Sequence, residues 1–168
     1  MPLYKTITPN SQTCVKIWKI SESYKDLIKP LVLTKASLER VEDMKSEMHQ
    51  RGFLSVRHLL REFGYQDADL YYDDFGKPHL KDGKHISITH SFNFSAIIIS
   101  DVEVGIDIEK NREKIKIIQD KFVNFERGFI HKDDDYIQQL TVIWGAKESL
   151  YKIYPFGGLT FKNDIDIN

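Results

Sequence analysis

The segment Val104–Glu109 reads VGIDIE and places two carboxylates, Asp107 and Glu109, two positions apart in an otherwise apolar run. Side chains two positions apart in a β-strand project from the same face. We therefore predict a short strand whose two carboxylates point toward one site. Taken alone, an Asp-x-Glu pair on a strand is more often a solvated face than a functional site.

A second cluster of charged residues follows downstream, where Trp144–Lys152 reads WGAKESLYK within a predicted helix, Tyr136–Ile153. Glu148 and Lys152 are one helical turn apart, so their side chains can share one site, although such a pair is usually a weak surface ion pair. Glu148 is the predicted third carboxylate. Three carboxylates without histidine or thiolate ligands favour magnesium, which prefers oxygen ligands and contacts substrate phosphates.

The rest of the chain alternates short strand patterns with helical ones. Apolar residues at helical spacing predict a long helix over Ser37–Phe63, ended by Gly64, and a shorter helix from Ser21 that Pro30 ends. The predicted strands are Cys14–Ile20, Leu70–Phe75, Ile86–Ser91, Phe94–Ser100 and Leu159–Ile167, of which Ile86–Ser91 and Phe94–Ser100 form a hairpin. The pattern is that of a single α+β domain over residues 1–168.

The composition narrows the classes of partner. The 24 basic and 25 acidic residues nearly cancel, so no overall field attracts nucleic acid or an anionic membrane. Cys14 is the only cysteine, which excludes an internal disulfide and a zinc cluster built on thiolates. The longest strongly apolar stretch, Ala96–Ile99, is far too short to cross a bilayer. We therefore predict a cytoplasmic protein.

Four ordered motifs make the two carboxylate segments more specific together than apart. FGKPHL at Phe75–Leu80 and ITHS at Ile88–Ser91 precede VGIDIE and WGAKESLYK, and this series resembles the signature motifs of the 4′-phosphopantetheinyl transferase superfamily. The long stretch before VGIDIE resembles the Sfp-like class more than the short holo-acyl-carrier-protein synthase class, whose motif lies near the N-terminus. A monomer is therefore expected, and not the trimer usual in the short class.

The resemblance also implies a fold of two similar halves, residues 1–101 and 102–168, each a small antiparallel sheet packed on a long helix. Similar proteins continue with further strands after the last motif, whereas this chain reaches only Leu159–Ile167. The second half is therefore either unusually small or truncated. Thr89 stands where serine is common in the family, and it keeps the hydroxyl that can bind a phosphate.

By resemblance, the chain is a magnesium-dependent enzyme that moves the phosphopantetheine arm of coenzyme A onto a serine of an acyl or peptidyl carrier protein. Asp107, Glu109 and Glu148 would bind magnesium, Glu148 would act as the base, and Lys152 would stabilise the departing phosphate. The remaining coenzyme A ligands would be Lys77, Thr89, His90, Arg51 and Lys147. Lys147 lies about a hundred degrees from Glu148 around the helix, so it faces either the diphosphate or solvent.

Other interpretations remain open at this point. A lysine in a turn such as Lys77 is usually exposed, His90 alone would more often be structural, and Arg57 could simply pair with an acid. The basic residues Lys114, Lys116 and Lys121 are candidates for contact with an acidic carrier protein, although charge runs are mostly solvated. The rival functions are a coenzyme A or carrier-binding module without turnover, and a magnesium-dependent nucleotide or phosphate hydrolase.

Overall fold

The computed structural model describes residues 3–154 and 157–167, so the outer bounds of the predicted domain, 1 and 168, lie outside the described residues. The main sheet is antiparallel, with the strand order β1-β2-β6-β5, and a two-stranded sheet joins β3 to β4. The strands are β1 Leu3–Asn10, β2 Thr13–Lys19, β3 Leu70–Tyr72, β4 Pro78–Leu80, β5 His85–Ser91 and β6 Phe94–Ser100. The predicted hairpin is confirmed as β5 and β6.

In the part of the chain that the structure describes, five α-helices accompany these strands. They are α1 Tyr24–Ile28, α2 Lys35–Glu42, α3 Glu47–Glu62, α4 Ile115–Ile118 and α5 Tyr136–Ile153, with short 3₁₀ helices at Asp67–Asp69, Gln119–Lys121 and Phe125–Gly128. The predicted bounds of α5 are confirmed. Within the described ranges no helix is both long and apolar enough to span a membrane. The coarse prediction of an α+β fold is confirmed.

Two apolar cores hold the helices in place. The larger core lies between α3 and the main sheet, where Leu54, Leu59 and Leu60 of α3 and Ile97 of β6 are fully buried. A smaller core surrounds α5 and includes Phe122, Val123, Leu140 and Ile143. Each long helix therefore has its own apolar layer, and the site lies where the two layers meet.

The predicted helix over Ser37–Phe63 is wrong in its continuity, because α2 and α3 are separate helices. Asp43 ends α2, and Ser46 has extended backbone angles, which no α-helix accommodates. The side chain of Gln50 donates to the carbonyl oxygen of Val41 at 3.1 Å, so a carbonyl at the end of α2 finds a partner outside its own helix.

The segment Val104–Glu109 is not a strand, contrary to the prediction. It runs beside β5 and is held there by hydrogen bonds to side chains of that strand. Ser87 Oγ accepts from the amide of Ile106 and Thr89 Oγ1 accepts from the amide of Ile108, each at 3.2 Å. These amides donate to side-chain hydroxyl groups and not to backbone carbonyl oxygens, so no β-ladder forms between the segment and β5. The segment is nevertheless held beside the sheet.

The predicted strand Leu159–Ile167 is also wrong. The amide and the hydroxyl of Thr160 both donate to Asp164 Oδ2 at 2.7 Å, and this turn bends the chain. Throughout residues 3–154 and 157–167, every strand precedes Asp101. The second half therefore contains a long helix but, in its described part, no sheet, so the two-half architecture stays a prediction.

Candidate functional site

A cleft of about 640 Å³ opens between α3, β5, the turn before β4 and the end of α5. Three of the predicted site residues, Lys77, His90 and Lys152, line this cleft although they come from three distant motifs. Arg40 and His49 also line it, and neither was predicted. Basic and histidine side chains thus converge in one cleft, as an anionic ligand requires.

Asp107 anchors Val104–Glu109, the carboxylate segment. Its side chain is 7% exposed, and its Oδ1 accepts from Lys152 Nζ at 2.8 Å and from Thr89 Oγ1 at 3.1 Å. Lys152 Nζ also donates to the carbonyl oxygen of Ile106 at 2.8 Å. The other oxygen of Asp107, Oδ2, is buried and has no hydrogen-bond partner among the described residues. A buried carboxylate oxygen without a donor is costly, so a cation bound there would be stabilising.

Gly105 is the residue that permits this arrangement. A Cβ atom at Gly105 would lie 1.8 Å from the carbonyl oxygen of Ser149, far inside van der Waals contact. Only glycine therefore lets the segment pass so close to the backbone of α5. Gly145 lies on the same side of α5, and a Cβ there would lie 3.6 Å from Asp107 Oδ2, at ordinary van der Waals distance.

Glu109 and Glu148 complete the acidic part of the site. Glu109 Oε2 accepts from Ser91 Oγ at 3.2 Å and lies 3.9 Å from Arg112. Burial raises the pKa of Glu148, the ammonium of Lys152 opposes that rise, and the nearby charges of Asp107 and Glu109 add to it. The charges of Asp107 and Glu109 are therefore close enough to act on the ionisation of Glu148.

The three carboxylates do not converge on a common metal position in this structure. Among the described residues, no three His, Cys, Asp or Glu side chains lie close enough together to hold a metal ion. Their chemistry still fits magnesium, because all three offer carboxylate oxygens and a divalent cation would relieve the repulsion at Glu148. Asp107 Oδ2 also lacks a donor in the part of the chain that the structure describes. The donor set fits the predicted ion, and the side chains would have to move to share it.

The two predicted nucleotide ligands in the cleft have different environments. Lys77 Nζ bonds Glu103 at 2.9 Å and the carbonyl oxygen of Ile153 at 3.1 Å, which ties the Gly-Lys-Pro turn to the end of α5. Burial lowers the pKa of His90, and the charges of His49 and Lys152 lower it further. The lowered pKa favours the neutral, hydrogen-bonding form of His90, whereas the ammonium of Lys77 is already paired with Glu103.

Thr89 and Arg51 do not face the cleft in this structure. Thr89 is 6% exposed and joins β5 to the carboxylate segment through Asp107 and Ile108. Arg51 contacts the carbonyl oxygen of Ile20 at 3.4 Å, and its buried Nε has no partner within residues 3–154 and 157–167. Both roles in coenzyme A binding stay predictions, and Thr89 already has a structural task.

Lys147 faces neither the diphosphate nor solvent, so the prediction that it faces one of them is wrong. Its side chain is fully buried, and Nζ lies 2.6 Å from Glu126 Oε1. The position differs from that of Glu148 by one residue, and the helical rotation between them turns Lys147 into the smaller core. Arg57 is likewise paired with a buried acid, Asp67, at 2.9 Å.

The sequence missed Arg40 and His49 because each comes from a helical segment without a recognisable motif. Both lie in the region predicted as one long helix, where the spacing of apolar residues gives no indication of a binding role. Among the proposed carrier contacts, Lys116 pairs with Glu113 at 2.9 Å, and Lys114 lines a separate cavity of about 400 Å³ beside Ile117. These contacts leave the carrier role untested.

The raised pKa of Glu148 predicts how the metal-free protein responds to pH. A raised carboxyl pKa means that the folded chain binds a proton more tightly than the unfolded chain, so stability falls as pH rises from the ordinary pKa through the raised one. Glu148→Gln should therefore stabilise the protein relative to wild type at about pH 7 and lose this advantage near pH 4. Urea denaturation with a chelator measures the difference.

The matched control is Glu113→Gln, since Glu113 is 75% exposed and, among the described residues, forms an ion pair only with Lys116. The difference in the free energy of unfolding between Glu113→Gln and wild type should be nearly the same at the two pH values. An advantage of Glu148→Gln that is constant between the two pH values would contradict the raised pKa.

Residues 103–168 match the family model described as the 4′-phosphopantetheinyl transferase superfamily. The matched segment contains Asp107, Glu109, Glu148 and Lys152, and the predicted relationship to this superfamily is confirmed. The superfamily supports a transferase, with coenzyme A and carrier proteins as partners in general. No curated protein matches the chain.

Proposed function

We propose that this chain transfers 4′-phosphopantetheine from coenzyme A to a serine of an acyl or peptidyl carrier protein and releases 3′,5′-ADP. The observation that carries the proposal is the ion pair of Lys152 with Asp107 at the edge of a cleft that also contains Lys77 and His90. The match of residues 103–168 to the superfamily supports the same chemistry. The Sfp-like class, a monomeric state and a cytoplasmic location belong to this proposal.

Magnesium is the proposed cofactor, with Asp107, Glu109 and Glu148 as its ligands. Bound there, the ion would neutralise charge on the pyrophosphate of coenzyme A. Asp107 supplies an oxygen that has no hydrogen-bond partner among the described residues, and a cation would offset the burial and the neighbouring negative charges that raise the pKa of Glu148. Ser91 and Arg112 hold Glu109 at the outer edge of the same wall.

The basic residues of the cleft would bind the phosphates. Lys152 is the cation nearest the carboxylates, so we assign it to the departing phosphate, where it offsets developing negative charge. Lys77 and His90 are assigned to the nucleotide end, together with Arg40 and His49, which line the same cleft. Coenzyme A has separated phosphate groups, and this spread of donors suits it.

Glu148 is the proposed general base. In the reaction a bond forms between the carrier serine Oγ and the β-phosphorus, and the bond to the 3′,5′-ADP oxygen breaks. The serine proton would pass to a carboxylate oxygen of Glu148, as it does to a positioned general base. The main task of the other residues is alignment and charge neutralisation.

The decisive experiment is mass spectrometry of several apo-carrier proteins incubated with the chain, magnesium and coenzyme A. We expect a carrier to gain one phosphopantetheine and 3′,5′-ADP to appear in equal amount. Cleavage of coenzyme A with unmodified carriers would favour the hydrolase. Binding of coenzyme A without any cleavage or transfer would favour the binding module.

A further inference from the structure

Lys147 and Glu126 form an ion pair that the smaller core encloses completely. Both side chains are fully buried, and Lys147 Nζ lies 2.6 Å from Glu126 Oε1. Enclosing two charges costs several kcal/mol per ion, and well-packed apolar replacements of such a pair are often neutral or stabilising. Stability alone therefore does not explain the pair, and the contacts around it indicate another role.

Four backbone groups converge on the pair from two separate segments. Lys147 Nζ donates to the carbonyl oxygens of Phe122 at 2.7 Å and Phe161 at 2.8 Å. Glu126 accepts from the amides of Asn124 at 3.1 Å and Ile167 at 3.3 Å. The pair and these four groups, which we call the buried clamp, tie α5 to the 3₁₀ region before it and to the segment after it.

The clamp acts on the side of α5 that carries no catalytic group. Lys147 immediately precedes Glu148, and consecutive helical residues project about 100° apart. Fixing Lys147 in the core therefore fixes the rotation of α5 about its axis, and with it the direction of Glu148 and Lys152. Phe161 also packs on Tyr151, which lines the cleft, so the clamped segment supports the cleft wall.

We infer that Lys147 and Glu126 are positioning residues, which hold α5 in the rotation that presents Glu148 and Lys152 to Asp107. This role rests on the transferase function proposed above. The expected consequence is a separation of effects: loosening the clamp should impair the transition state, where small misplacements of catalytic groups are costly, more than the binding of coenzyme A.

The test replaces both partners, because removing only one would leave a buried charge unpaired. The double variant Lys147→Met, Glu126→Met keeps an apolar filling but removes every hydrogen bond of the clamp. We expect kcat for carrier modification to fall at least about tenfold while the KM for coenzyme A changes less than about threefold. Trypsin should also cut more readily after Lys162, since the segment that contains Phe161 has lost its anchor.

Two further variants keep the test decisive. Lys147→Met, Glu126→Gln also contains no unpaired charge but restores a carbonyl acceptor for one of the two amides, so it should recover part of kcat. Leu140→Ala removes buried apolar volume from the same helix and leaves the clamp intact. It should lower stability and keep kcat close to wild type well below its unfolding temperature.

The outcomes separate the positioning role from the proposed function. A wild-type chain that modifies no carrier contradicts both. An active wild type with an equally active double-methionine variant contradicts only the positioning role, as does a Leu140→Ala variant that loses kcat to the same extent. If the variant Lys147→Met, Glu126→Met does not fold, the variant Lys147→Met, Glu126→Gln decides. A wild-type kcat for this variant overturns the positioning role, and a lowered kcat with a nearly unchanged KM supports it.

Discussion

Glu148→Gln should lower the transfer of phosphopantetheine by at least about a hundredfold, the usual minimum contribution of a positioned acid or base. The amide keeps the size of the side chain but removes the charge proposed to bind magnesium and to accept the serine proton. Coenzyme A affinity should also lose its dependence on magnesium. Mass spectrometry of the carrier protein measures the first effect, and calorimetry with and without chelator measures the second.

The control is again Glu113→Gln, because it makes the same chemical change on an exposed glutamate. It should transfer at the wild-type rate. Near-normal transfer by Glu148→Gln would remove Glu148 as both ligand and base, and the metal proposal would then depend on Asp107 and Glu109 alone. The superfamily relationship would stand in that case, since it comes from the whole segment 103–168.

Gly105→Ala should have the largest effect on stability of any single-methyl change in the site. The added Cβ would lie 1.8 Å from the carbonyl oxygen of Ser149, and neither backbone can give way without moving α5. Overpacking of this kind costs about 1–3 kcal/mol and occasionally more. Because Lys152 and Glu148 lie on α5, we also expect transfer activity to fall. Urea denaturation measures the loss of stability.

Gly128→Ala provides the comparison, since a Cβ at Gly128 meets no atom within 4 Å and its φ is not positive. It should be neutral, or stabilising by up to about 1 kcal/mol through the unfolded state. A Gly105→Ala protein as stable as Gly128→Ala would show that the carboxylate segment does not lie against α5.

Local patterns were sufficient for the elements that their own residues specify. The hairpin of β5 and β6 follows from two β-rich runs around a short turn, and α5 follows from acidic residues before an apolar helical pattern. The same reasoning failed at Asp43–Ser46, where the pattern of apolar residues continues but the backbone does not. Helical periodicity shows which side of a helix is apolar. A break in the helix that keeps the apolar residues on the same side leaves the periodicity almost unchanged.

The strand patterns at 104–109 and 159–167 failed for a different reason. A strand needs a partner with free backbone groups, and this is a tertiary property. Ser87 and Thr89 meet the amides of the first segment with hydroxyl groups, and the turn at Asp164 bends the second. The alternation of apolar and polar side chains predicts the two faces of a strand, but it does not predict whether a neighbouring strand is there to pair with it.

The sequence by itself indicated the α+β class and the superfamily that residues 103–168 match, and it supplied the candidate carboxylates, because motif residues and their order are properties of the chain. Only the tertiary structure decided which cations share the cleft and that Lys147 lies in the core. Lys147 and Glu148 are neighbours in sequence with similar polar character, and the packing around α5 sends one to Glu126 and the other toward Asp107. Burial and partner choice depend on contacts between segments far apart in the chain, which no local pattern encodes.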